Sequence, residues 1–408
     1  MPPSTLLIQS WFSKLNDFFH RDYVTDVVFY CFWLGFWLLM PTIIFLGTLA
    51  LAVYDLVTVK GYRQPCGPVL ITGCDMGFGK DLALALAGKG WKVIAACSTD
   101  AGLSVYRTAA NNSCSSSSST NITPVKVNMS SETDIQALAE KLAYQHPEGL
   151  YALVNNNNNT VVGKDGAIEW MSIQNYEMHM EVNLYSFIRA TKAYLPLLKK
   201  HVRHDPKHKA RIITLNSNAG IVPGQPNASC YAAAKHACDG WMSSLTFEAK
   251  VWGIDVASVC PCWHEIEIEY FPYDLFATLP LSVQEDYGRE YYTALTEGAK
   301  AARAPIMWKA ENVTRALVHA VTAEKQRPYV VVGMDGRFVT TPLLFLPRRI
   351  YNAIFAFITG ISRLKPKAVL LRAQGTSTAG IAAAAAVAGA RAAAGGGMGG
   401  KASSSSDV

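Results

Sequence analysis

The chain has 408 residues and six more basic than acidic side chains, enough for one large α/β domain with appendages. The charge excess is modest and comes with neither a long basic block nor a nucleic-acid motif, so a nucleic-acid partner is excluded and a membrane surface is favoured. Nine scattered cysteines, odd in number and without Cys-x-x-Cys spacing, exclude a disulfide framework, give no sign of a metal site and point to a reducing compartment.

Residues 1–26 are mixed and partly aromatic. From Val27 to Tyr54 no residue is charged, a span long enough to cross a bilayer, with Pro41 as a kink site. A transmembrane anchor is therefore expected over 27–54, with Phe29, Tyr30, Phe32, Trp33, Phe36 and Trp37 crowding one half as at an interface. Lys14 and Arg21 before the span balance Lys60 and Arg63 after it, which leaves its orientation open. A linker follows over 55–66.

From residue 67 the pattern alternates short apolar runs with helical periodicity. Strands are expected at Val69–Ile71, Val93–Ala96, Val125–Val127, Ala152–Val154, Arg211–Leu215, Val256–Val259 and Tyr329–Val332. Alternation of this kind implies an α/β fold with a doubly wound, mostly parallel sheet of Rossmann-like type, spanning 67–340. Residues 341–366 are apolar again, with Arg348, Arg349, Arg363 and Lys365 at the rims of an uncharged run. The run suits either a membrane-lying helix or an ordinary packed one. Residues 367–408 form a low-complexity tail, Ala/Gly/Ser-rich from about Gly375, where disorder is expected.

Two local patterns carry chemistry. Thr72-Gly73-Cys74-Asp75-Met76-Gly77-Phe78-Gly79 lies between a strand and a helix. Small residues there let backbone approach a phosphate, and the helix N-terminus favours negative charge. Tyr231 precedes Lys235 by four residues, which places both on one face of a helix. A free tyrosine titrates near pH 10, so a neighbouring cation is what suits it to proton transfer near neutrality. Ser217 stands fourteen residues before Tyr231.

Four markers in order resemble the short-chain dehydrogenase/reductase family: the glycine loop; Val182-Asn183-Leu184 followed by Ala193-Tyr194-Leu195-Pro196-Leu197-Leu198; Asn216-Ser217-Asn218-Ala219-Gly220; and Tyr231-x-x-x-Lys235. The wording Gly73-Cys74-Asp75-Met76-Gly77-Phe78-Gly79 is similar to the branch holding retinol, 17β-hydroxysteroid and 3-hydroxybutyrate dehydrogenases. A further resemblance is to the membrane-anchored insect dehydrogenases of ecdysteroid synthesis. The resemblance covers about residues 67 to 340. It implies hydride transfer between a nicotinamide and an alcohol or ketone. By the same resemblance Tyr231 would exchange the substrate proton, Lys235 would lower the tyrosine's pKa and bond the ribose, Ser217 would hold the substrate oxygen, and Asn183 would support a water chain. Thr72, Gly73, Asp75, Gly77, Phe78, Gly79, Asn128, Asn155, Pro261, Tyr231 and Lys235 are the implied cofactor contacts, and a homodimer is the implied assembly.

The sequence also departs from the family's pattern. Asn157 and Asn158 stand where small residues follow the fourth strand, Cys262 replaces a glycine, and Ile266 replaces a threonine that binds the carboxamide. Cys97-Ser98-Thr99 at the second strand's end offers neither acid nor base to read the ribose. With no arginine nearby, NAD is favoured over NADP. The segment 263–292, with Trp263, Tyr270, Phe271, Tyr273 and Phe276, is expected to form an apolar lid over a lipophilic substrate, unless these rings only pack the lid onto the domain. Sequons at Asn128, Asn158 and Asn227 fall in the expected site. Glycans there would obstruct folding or binding, so either the catalytic domain faces the cytosol or those sites go unused; the cysteine usage agrees with the cytosolic side, and anchoring in the endoplasmic reticulum is expected.

Overall fold

The computed structural model describes residues 61–112, 121–156, 166–222, 224, 226–265, 274–303, 307–359 and 364–373, with scattered positions between 27 and 50. The chain divides into residues 1–62 and 63–408. In the first unit the described positions between 27 and 50 are helical and exposed, Val27, Phe32, Leu39 and Ile43 among them. Most of the expected anchor over 27–54 lies outside the described residues. Among the described residues no helix is long and apolar enough to cross a membrane.

In the second unit the strands are β1 (Val69–Ile71), β2 (Val93–Cys97), β3 (Ile122–Lys126), β4 (Ala152–Asn155), β5 (Ala210–Leu215), β6 (Ile254–Pro261) and β7 (Tyr329–Val332). They form one parallel sheet in the order β3-β2-β1-β4-β5-β6-β7. The main helices are α1 (Gly77–Ala87), α2 (Asp100–Asn112), α3 (Glu132–Gln145), α4 (Ile173–Met180), α5 (Ser186–His204), α6 (Ser229–Lys250), α7 (Leu281–Tyr287), α8 (Arg289–Arg303), α9 (Glu311–Thr322), α10 (Arg348–Thr359) and α11 (Lys367–Ala373).

Side chains alternate across a strand, and the core splits accordingly. Val69, Ile71, Val93, Val154 and Ile213 face one way and pack with Leu82 and Leu86 of α1 and Leu317 and Val321 of α9. Leu70, Ile94, Leu153 and Ile212 face the other, against Ile135 and Leu142 of α3, Phe187 and Tyr194 of α5 and Met242 of α6. With both faces covered, the central strands are apolar throughout rather than alternating.

The third strand begins at Ile122, not Val125, because β2 pairs with it from Val93↔Ile122 to Cys97↔Lys126. It contains Pro124, which is tolerated because β3 is an edge strand. At the head of the tail, before its Ala/Gly/Ser-rich part, Lys367–Ala373 is helical. Residues 374–408 lie outside the described residues.

Candidate active site

The strand order reverses between β1 and β4, so a crevice opens at their carboxyl ends. The glycine loop follows β1 there. Gly73 and Gly77 have φ of +63° and +57°, a region costly for residues with a Cβ. A Cβ on Gly73 would lie 1.8 Å from the Asn156 carbonyl oxygen, and one on Gly79 would lie 2.3 Å from Asn156 Nδ2. Asn156, buried at the end of β4, donates from Nδ2 to the Thr72 and Gly73 carbonyls at 3.2 and 3.0 Å. Its own N–H donates to Thr72 Oγ1 at 2.9 Å. Thr72 and Asn156 thus lock the loop to the neighbouring strand.

α1 starts at Gly77 with no side-chain cap and no acid in its first turn, so its N-terminal dipole is uncompensated by its own side chains. That donor set fits the pyrophosphate of a dinucleotide. Phe78 is buried in the core with Leu82 and Leu86, so its ring is turned to packing and only its backbone N–H would be left for a cofactor.

Asp75 reaches across to the end of β2. Its carboxylate accepts from the N–H groups of Ser98 (2.9 Å to Oδ2) and Thr99 (2.8 Å to Oδ1), and from both hydroxyls, at 3.1 and 2.7 Å. Thr99 Oγ1 in turn accepts from the Gly102 N–H at 3.0 Å, capping α2. A carboxylate therefore stands at the second strand's end, delivered from the glycine loop and not from β2 itself.

The residues expected to move the proton come from three elements. Tyr231 and Lys235 share the first turns of α6 as their spacing requires, and Lys235 Nζ lies 5.5 Å from the centre of the Tyr231 ring. Lys235 is wholly buried and donates to the Leu215 carbonyl at 3.5 Å; burial pulls its ammonium down to about 8. Ser217 lies two residues beyond β5, and its Oγ accepts from the Ala219 N–H at 3.1 Å, which leaves the hydroxyl proton able to donate. The turn after Ser217 presses on α6: a Cβ on Gly220 would lie 2.6 Å from the Lys235 carbonyl oxygen.

Asn183 sits in a π-helical turn, Glu181–Tyr185, between α4 and α5, and its Nδ2 donates to the His179 carbonyl at 3.0 Å. Such turns interrupt helices most often at functional positions. The His179 ring meets the Tyr231 ring edge-on at 6.1 Å, and Tyr176 and Ser229 hydroxyls pair at 2.7 Å, which joins α4 to α6.

Asn155 pins β4 through Nδ2 donations to Thr191 Oγ1 and Thr214 Oγ1 at 3.2 and 3.3 Å. Asn128 is exposed, with Oδ1 accepting from the Ser130 N–H. Pro261 ends β6, paired with Val332. The Cys262 thiol, raised by burial to about 12, rests on the loop after β7, where a Cβ on Gly336 would lie 2.1 Å from Sγ. His264 is buried and held neutral, with Nδ1 on the Cys262 carbonyl at 3.0 Å. Asn157, Asn158, Ile266, Tyr270, Phe271 and Tyr273 lie outside the described residues. Phe276 packs into a small cluster with Trp170, Leu275, Leu279 and Tyr292. Sequence reasoning passed over Asn156 and His179. The signals were the second asparagine after the fourth strand and a histidine one helical turn before Asn183.

Residues 68–268 match the family model for short chain dehydrogenase. Mouse retinol dehydrogenase 5 is 27% identical over 298 residues, covering 71% of this chain and 88% of that protein. Bovine 17-beta-hydroxysteroid dehydrogenase type 6 is 27% identical over 293 residues, covering 70% and 86%. A short-chain dehydrogenase from Streptomyces avermitilis superposes with a TM-score of 0.54 at 19% identity, over 73% of this chain and 97% of that one, a likeness of fold. With the glycine loop, the serine turn and the Tyr231–Lys235 pair in place, the chain belongs to the short-chain dehydrogenase/reductase family, on the branch of the retinol, 17β-hydroxysteroid and 3-hydroxybutyrate dehydrogenases, and is an NAD(P)-dependent oxidoreductase.

Proposed function

We propose that the chain is a membrane-anchored dehydrogenase/reductase of a lipophilic alcohol or ketone of the steroid or retinoid class. The observation that carries this reading is the buried Lys235 ammonium beside Tyr231, next to a serine whose proton is free to donate. A bound nicotinamide supplies or takes the hydride. Tyr231 gives or takes the proton at the substrate oxygen, and Ser217 holds that oxygen by a hydrogen bond. Lys235 keeps positive charge beside the phenol and faces the ribose. The uncapped end of α1 holds the pyrophosphate. Asn128 and Asn155 flank the adenine and nicotinamide ends.

NAD is the preferred form on this reading, because the Asp75 carboxylate already occupies the donors of Ser98 and Thr99 that a 2′-phosphate would need. The lipophilic substrate is supported by the names of the relatives, by the apolar cluster around Phe276 and by the uncharged run from Val27 to Tyr54. Exposed Phe247, Val251 and Trp252 at the end of α6 support pairing of two copies. The anchor is placed in the endoplasmic reticulum with the catalytic unit in the cytosol.

The test is titration of the purified protein with NADH and NADPH by fluorescence, then turnover of a panel of steroids, retinol and 3-hydroxybutyrate. Binding of NADH with turnover of a steroid or retinol is expected. Failure to bind either dinucleotide sinks the enzymatic reading in favour of a binding or scaffold role. Turnover of 3-hydroxybutyrate alone sinks the lipophilic one.

A further inference from the structure

The segment from Gly336 to Ala373 carries seven basic side chains and no acidic one. Without it, the chain would hold one more acid than base, so the whole positive excess of the protein resides here. Arg337, Arg348, Arg349 and Lys365 are all exposed.

The same segment exposes large apolar side chains. Phe338 and Val339 are 56% and 48% exposed, Phe345 50%, and Phe357 71%. Helix α10 is apolar on two faces. Tyr351 is buried and stacks on Phe355 at 5.6 Å, forming the inner face. Ile350, Ala353 and Phe357 recur at positions i, i+3 and i+7 and form an outer stripe, flanked by Arg348 and Arg349. One packed face accounts for Tyr351 and Phe355.

On its inner side the segment is fastened to the site. Asn218, next to Ser217, donates from Nδ2 to Thr340 Oγ1 at 3.0 Å. Leu364 packs against the Trp170–Phe276–Tyr292 cluster. A Cβ on Gly288, between α7 and α8, would touch Lys367 Cβ at 3.1 Å.

We infer that residues 337–357 form a docking surface for an anionic lipid bilayer, lying on the headgroups beside the active site. An apolar stripe flanked by arginines suits the boundary between headgroup and acyl chain, and clustered basic residues add attraction to acidic lipids. Charge decides against a second copy of the same face, because two acid-free basic surfaces repel. The surface stands whatever the substrate. Only its purpose, admitting a lipid-dissolved substrate to the site, rests on the proposed function.

The test uses the full chain in nanodiscs of phosphatidylcholine alone and of phosphatidylcholine with phosphatidylserine, read by hydrogen–deuterium exchange. The local readout separates this surface from the run at 27–54. Amides of 337–357 are expected to gain protection only with phosphatidylserine. Arg348→Glu with Arg349→Glu should abolish that gain while leaving NADH binding unchanged. Equal protection in both lipids, protection that grows with protein concentration in lipid-free detergent, or no protection at all would overturn the inference. NADH binding and turnover, measured on the same samples, report separately on the proposed function.

Discussion

Asp75 and Thr99 are joined twice: the Asp75 carboxylate accepts from the Thr99 N–H at 2.8 Å and from its hydroxyl at 2.7 Å. The family's ribose-reading position is therefore served by a residue of the glycine loop. Replacing Asp75 by Asn keeps the size and removes the charge. The ratio of NADPH to NADH dissociation constants should fall about tenfold, the effect of roughly 1.4 kcal/mol of lost repulsion. Competitive titrations measure it, and an unchanged ratio would mean that Asp75 only braces the loop.

Tyr231→Phe removes the proton carrier and leaves the ring that meets His179. Turnover should drop by about 10² to 10⁴ with little change in NADH affinity. Ser217→Ala should also lower kcat, with cofactor affinity retained. Steady-state kinetics beside fluorescence titration separate these outcomes, and substantial activity in Tyr231→Phe would remove the phenol from the mechanism.

Lys235 titrates near 8 in the folded protein against 10.5 when free, because burial disfavours its charge. Between those values the unfolded chain binds the extra proton, so this residue makes stability rise with pH across the window. Its burial cost is full below about pH 8 and gone above 10.5. The difference in urea midpoint between wild type and Lys235→Met should therefore shift in favour of wild type from pH 7.5 to pH 10. Taking the difference cancels the opposite slopes of the buried cysteines and tyrosines. A difference that stays flat would show that the ammonium is not desolvated.

Asn156→Ala deletes two side-chain hydrogen bonds to the glycine loop. A loss of about 1–3 kcal/mol in denaturant stability is expected, together with weaker NADH binding. Gly73→Ala should cost more, since its φ is left-handed and its Cβ would overlap the Asn156 carbonyl. Chemical denaturation of both variants ranks them; equal stability would contradict the packing described.

Much of the fold was legible because buried parallel strands write themselves as apolar runs. Val69–Ile71 and Tyr329–Val332 are found where expected. β3 starts three residues before the expected Val125, since Thr123 and Pro124 have little strand preference of their own and become strand by pairing with β2. The adjacency of Tyr231 and Lys235 was legible from their four-residue spacing, and α6 holds the two side by side. Asp75 was legible as a loop residue and not as a partner of Ser98 and Thr99, since that contact spans 23 residues of sequence. Cys262 looked disruptive in sequence, where the receiving Gly333 and Gly336, seventy residues on, could not be matched to it.

The π-helical turn at Glu181–Tyr185 sets the phase of everything after it. Each residue advances an α-helix by about 100°. Deleting one residue from that turn would swing Phe187, Tyr194 and Leu198, all buried on α5, off the sheet, or else swing Asn183 away from Tyr231. The turn works as a gear between the proposed site and the packing of the sheet. Substitutions can tune either side of it, but a change in its length would have to disengage one from the other.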